Sequence, residues 1–131
     1  MPTLNLLAVL AATASSFLIG GLWYSPALFG AVWQREAGDT RKAGEGHPAR
    51  VFGVSIAFAL IAALAFALLL PPAAGIGQAV WQGLAVGLGF VAASFGINYQ
   101  FANRSFTLLA IDGGYHAAQF LVYGLIIGLW R

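Results

Sequence analysis

The stretch Thr107-Leu108-Leu109-Ala110-Ile111-Asp112-Gly113-Gly114-Tyr115-His116-Ala117-Ala118-Gln119-Phe120-Leu121-Val122-Tyr123 decides how the rest of the chain is read. It lies in an apolar run long enough to cross a bilayer, and Asp112 is the only charge inside any such run. At helical spacing Asp112, His116, Gln119 and Tyr123 fall along one stripe, with Tyr115 beside it. A carboxylate at membrane depth is costly, so the stripe should face protein or water and not lipid. The stretch therefore marks a candidate site without naming a ligand.

The surrounding composition fits that reading. Of 131 residues, 60% are hydrophobic and only 8% are charged, and the mean hydropathy is +0.85. Soluble domains carry about a quarter charged residues, so the expectation is one integral membrane domain over 1–131. The net charge of +2 leaves no basic face outside the apolar runs, so no nucleic-acid partner is expected. The absence of Cys excludes disulfides, thiolate metal sites and Cys nucleophiles. Residues 1–22 have no Lys or Arg ahead of their apolar region and read as a retained first helix rather than a signal peptide.

Four spans are predicted, at about 4–24, 49–70, 78–101 and 105–130, giving an all-α, four-helix transmembrane bundle. Ala8, Ala12, Ser16 and Gly20 form a small-residue stripe on the first. Gly83-xxx-Gly87 and Gly89-xxx-Ala93 do so on the third, and Gly124-xxx-Gly128 on the fourth. Ser25-Pro26 should break the first helix, since the residue before proline resists the α conformation. A short interfacial helix is then expected after Pro26, with Phe29 and Trp33 as aromatic anchors. Pro71-Pro72 stops the second span, and Ser105 is a candidate N-cap for the fourth.

The charged loop 34–50 holds seven of the ten charged residues: Arg35, Glu36, Asp39, Arg41, Lys42, Glu45 and Arg50. His47 belongs to it and reads as a solvated loop histidine. With Arg104 counted, five Lys or Arg lie on this side against Arg131 and the terminal amine on the other. The bias predicts that loops 34–50 and 102–105 are cytoplasmic and that both termini lie outside. The expected location is the bacterial inner (plasma) membrane.

Two blocks carry a family likeness: Gly20-Gly21-Leu22-Trp23-Tyr24-Ser25-Pro26-Ala27-Leu28-Phe29-Gly30 through Trp33, and Ile111-Asp112-Gly113-Gly114-Tyr115 with the closing Trp130. With them the chain resembles, over nearly its whole length, a family of small four-helix membrane proteins of bacteria and fungi known only as a domain of unknown function. The resemblance implies a fold and a membrane location. It implies no activity and transfers no catalytic residue.

The predicted topology gathers Tyr24, Asn98, Asp112, Tyr115 and His116 into one layer in the cytoplasmic half, with Gln119 farther along the stripe. Several readings compete. In the structural one, Asp112 accepts hydrogen bonds from Tyr24, Asn98 or Arg104 and pins the helices. In the second, Asp112 and His116, one turn apart, relay a proton or bind an ion or small solute. In the third, a cleft binds a lipid, quinone or other small apolar ligand whose polar end meets Asp112, His116 or Tyr115. A fourth makes the chain an accessory subunit, because the small-residue stripes exceed what one unit uses internally. It predicts a homo-oligomer or larger membrane complex. The leading functional reading is a small-solute or proton-linked protein centred on Asp112 and His116. An enzyme is the weaker reading: Ser94 or Ser16 with His116 and Asp112 supplies triad residue types without a nucleophile elbow. One buried His and one carboxylate are too few for a metal, and no cofactor is expected.

Overall fold

The computed structural model describes residues 4–38 and 47–130. Asp39, Arg41, Lys42 and Glu45 of the predicted charged loop, and Arg131, lie outside them. The described residues form five helices: α1 (Leu6–Trp23), α2 (Gly30–Ala37), α3 (Pro48–Leu69), α4 (Ile76–Phe101) and α5 (Phe106–Leu129). No strand occurs among the described residues. The four long helices begin and end within two residues of the predicted spans.

The ends follow local chemistry. Asn5 caps α1, its side chain accepting from the Ala8 N–H at 3.2 Å. Pro48 opens α3 where its missing N–H costs nothing. Ser105 caps α5 as expected, accepting from Leu108 N at 3.0 Å. Asn5 Nδ2 also donates to the Trp130 carbonyl at 3.0 Å, which puts the start of α1 beside the end of α5. At the opposite end Arg104 donates to the Ala37 carbonyl at 2.8 Å and ties the α4–α5 connection to α2. His47 is exposed just ahead of α3.

Helix α5 is the hub, packed against α1, α4 and, more lightly, α2 and α3. Its close partner is α4. A Cβ added at Gly83 would sit 2.2 Å from the Phe120 carbonyl oxygen, and one at Gly124 2.2 Å from that of Ala79. These two glycines therefore let the backbones touch, as the GxxxG stripes of both helices predict. Gly87 meets Ala117 and His116 in the same way, inside a run of wider π-helical turns over Ala85–Ala92 that the sequence did not announce. Gly89 faces open space and Ala93 is exposed, so that predicted stripe is unused within the chain. On α1, Ala8, Ala12 and Ser16 are buried, as their spacing requires.

Three helices, α1, α3 and α4, are long and apolar enough to cross a membrane. Helix α5 is not among them, because Asp112, His116 and Gln119 interrupt its apolar run. Large apolar side chains cover the outside: Leu18, Phe58, Phe90 and Phe106 are each at least two-thirds exposed. That pattern suits a lipid surround and would be unusual in water.

Candidate functional site

The first helix ends where expected, and the chain then turns back on itself. Ser25 does not cap a new helix at Pro26; its hydroxyl instead donates to the Leu22 carbonyl at 2.7 Å. The Phe29 N–H reaches the Trp23 carbonyl at 3.0 Å, and Gly30 N–H reaches that of Ser25 at 3.0 Å. The short helix expected after Pro26 is α2, and it starts four residues beyond that proline, at Gly30. Gly30 passes so close over the Tyr24 carbonyl that a Cβ would come within 2.4 Å of that oxygen. Only glycine fits there without moving the chain.

This reversal points three aromatic donors from the Trp-Tyr-Ser-Pro block at α5. Trp23 Nε1 donates to the Ile111 carbonyl at 2.8 Å. Tyr24 OH donates to Asp112 Oδ1 at 2.6 Å, and Trp33 Nε1 donates to the same oxygen at 3.1 Å. From α4, Tyr99 OH donates to Asp112 Oδ2. Asp112 is thus turned inward and gripped by neutral donors from α2, α4 and the end of α1. The Trp33 indole is thereby turned toward Asp112, and the Phe29 ring packs on Trp23 at 5.0 Å. Both glycines after Asp112 serve this arrangement. A Cβ at Gly113 would crowd Ala92 at 3.1 Å, and one at Gly114 would crowd the Trp23 ring at 3.0 Å.

Asn98, expected in this layer, is exposed and has no side-chain hydrogen bond to a described residue; its neighbour Tyr99 holds the place. Arg104 is likewise not a partner of Asp112, since its guanidinium serves the Ala37 carbonyl.

A second network lies deeper along α5. His116 Nδ1 and Gln119 Oε1 are 2.7 Å apart. Gln119 Nε2 donates to Ser16 Oγ at 3.1 Å and to Tyr123 OH at 2.8 Å, and those two hydroxyls are 2.5 Å apart. Tyr123 OH reaches the Ala59 carbonyl on α3 at 3.4 Å. Tyr115 OH donates to the Ser16 carbonyl at 2.9 Å. The His116 ring stacks on Phe95 at 5.1 Å and 14°. Asp112 and His116 share no hydrogen-bond partner, so the expected single layer is two networks. They adjoin where the Tyr24 ring, bound to Asp112, and the Tyr115 ring, bound to Ser16, lie 5.6 Å apart.

Beside this second network lies a cavity of about 700 Å³, bounded by α1, α3, α5 and Val91 of α4. Its walls include Phe17, Phe52 and Phe58, with Ser55, Tyr115 and His116 among the polar groups. Among the described residues no Asp, Glu, Lys or Arg lines it. Among the described residues no group of three or more His, Asp or Glu stands close enough to hold a metal.

Sequence reasoning put Tyr24, Asp112, Tyr115, His116 and Gln119 in the site, and the structure brings these together in the two networks. It missed Trp33, Tyr99 and the hydroxyl of Ser16. Comparison with known proteins adds a family and little else. Residues 7–128 match the profile of a family described as Protein of unknown function (DUF1761). No curated protein and no solved structure matches the chain.

Proposed function

The chain belongs to the DUF1761 family, and from its own geometry we propose that it is an integral membrane protein that binds a small, largely apolar molecule in the cavity beside His116. The cavity carries this reading. Its volume of about 700 Å³ falls in the range of small-molecule sites, and its walls combine aromatic surface with a few polar groups. Asp112 in this reading is a clamp: three donors already occupy its oxygens, and it does not line the cavity.

We further propose that all four long helices span the bilayer as one bundle, α5 turning its polar stripe inward. The end that carries α2 and Arg104 would face the cytoplasm, since Arg35, Arg50 and Arg104 all lie there. Entry to the cavity would be lateral, past the exposed Phe52, Ser55 and Phe58 on α3, as suits a molecule that partitions into lipid.

Native mass spectrometry of protein released from nanodiscs tests the binding. The wild type should retain a small molecule that Ala62→Phe, which fills the cavity from α3, excludes. An empty wild type, or equal retention by Ala62→Phe, would overturn the proposal.

A further inference from the structure

Which ligand chemistry the cavity accepts follows from where its hydrogens point. Gln119 Nε2, Ser16 Oγ and Tyr123 OH form a triangle of mutual contacts. If the amide nitrogen sits in the triangle, its two hydrogens serve the two oxygens. One hydroxyl then donates to the other, and Tyr123 keeps the Ala59 carbonyl. If the amide were reversed, both hydroxyls would have to donate to Gln119 and none would remain for the 2.5 Å contact between them. The arrangement that satisfies every contact therefore turns Gln119 Oε1 toward His116.

That oxygen can only accept, so Nδ1 of His116 carries a proton, and in the neutral ring Nε2 keeps a lone pair. Nε2 has no hydrogen bond to a described residue, yet no buried side-chain nitrogen or oxygen among them lacks a partner. Nε2 is therefore accessible, on a residue that lines the cavity. The other polar walls near it have no hydrogen to offer. Tyr115 OH donates to the Ser16 carbonyl, Tyr24 OH to Asp112, and both Gln119 hydrogens are engaged. Only Ser55, on the exposed α3 side, keeps a hydroxyl without a partner among the described residues.

We infer that the occupant is an uncharged hydrogen-bond donor, an alcohol, phenol or hydroquinone hydroxyl on an apolar body, whose O–H is received by Nε2 of His116. A carbonyl or ether oxygen placed there would meet a lone pair. A carboxylate or phosphate would meet no cation among the described residues that line the cavity. The inference rests on the cavity reading and adds the sign of its polar end.

Matched probes separate the two. Binding of 4-octylphenol and of its methyl ether, 4-octylanisole, to the protein in nanodiscs can be measured by quenching of intrinsic fluorescence, against empty nanodiscs. The phenol should bind about tenfold tighter, the worth of one hydrogen bond. His116→Phe, which keeps the stack on Phe95, should reduce the ratio to about one. Saturable binding of both probes with equal affinity, or a preference for the ether, would overturn the donor inference and leave the cavity reading standing. Failure of both probes to bind would overturn the cavity reading and this inference with it. The wild-type ratio decides the matter even where His116→Phe does not fold.

Discussion

Replacing Asp112 by alanine removes the acceptor that holds three donors from three segments: Tyr24 at the end of α1, Trp33 on α2 and Tyr99 on α4. Hydrogen bonds between membrane helices average about 0.6 kcal/mol and reach about 1.7. A buried donor left unsatisfied costs about 1–3 kcal/mol. The four side chains are only half-buried, so the lower values apply, and three bonds sum to about 2–4 kcal/mol. Asparagine is gentler. Its oxygen can keep Tyr24 and Trp33, while its amide nitrogen donates to Tyr99, whose half-buried hydroxyl can turn to water; the loss should be about 1 kcal/mol. The damage should also be local. Helix α2 buries no residue of its own, and the bonds that tie it to α5 and to the α4–α5 connection include those of Trp33 and of the Ala37 carbonyl with Arg104. Hydrogen exchange by mass spectrometry in nanodiscs should therefore show α2 losing protection in Asp112→Ala, with the α4–α5 contact at Gly83 and Gly124 unchanged. Reversible unfolding in mixed detergent should give the order wild type, Asp112→Asn, Asp112→Ala. An alanine variant as stable as wild type, with α2 protected as before, would refute the clamp.

Three further outcomes follow from close contacts. Gly83→Ala puts a Cβ against the Phe120 carbonyl and should cost about 1–3 kcal/mol as overpacking, whereas Gly89→Ala, with nothing within 4 Å, should be neutral or gain up to about 1 kcal/mol in helix propensity; paired unfolding curves check both. Gly30→Ala should displace α2 and free the Trp33 indole from Asp112, read as a shift of its fluorescence in a variant that keeps only this tryptophan; Gly21→Ala, which faces open space, should leave the spectrum unchanged. Tyr123→Phe deletes a fully buried hydroxyl shared by Ser16 and Gln119 and should cost about 1–2 kcal/mol in the same unfolding assay.

What the sequence made legible was what a single residue type can announce. A lone carboxylate in an apolar run must turn inward, and Asp112 does. Glycines four apart must bring backbones together, and Gly83 and Gly124 do. Relations between segments were harder. Asn98 and Tyr99 are neighbours in the sequence, but one residue along a helix is a rotation of about 100°, and the outward face took Asn98. Trp33 at the edge of an apolar run looks like an interfacial anchor; only the reversal at residues 25–30 aims it at Asp112. Gly30 is visible in the sequence, but the Tyr24 carbonyl that excludes any Cβ there is not. Ser16 reads as a small packing residue, which its burial supports, and as a triad-type hydroxyl. Periodicity carries no sign that its hydroxyl also completes the triangle with Gln119 and Tyr123.

The two networks on α5 divide the work that one stripe appeared to share. Around Asp112 every donor comes from outside α5, so the carboxylate joins segments that otherwise touch little. Around His116 the nearest partner is Gln119, three residues on along the same helix. That bond fixes the proton on Nδ1 and leaves Nε2 for whatever enters. Tyr24 belongs to both settings: its hydroxyl is held by Asp112, and the residue lines the cavity. The clamp therefore sets one wall of the cavity without entering it. Loosening it in Asp112→Ala should weaken probe binding while leaving the preference for a donor intact. Loss of His116 should do the reverse, erasing the preference while the cavity keeps its shape. A variant at Asp112 that abolished the preference but not the binding would place the recognition of the ligand at the carboxylate, against this division.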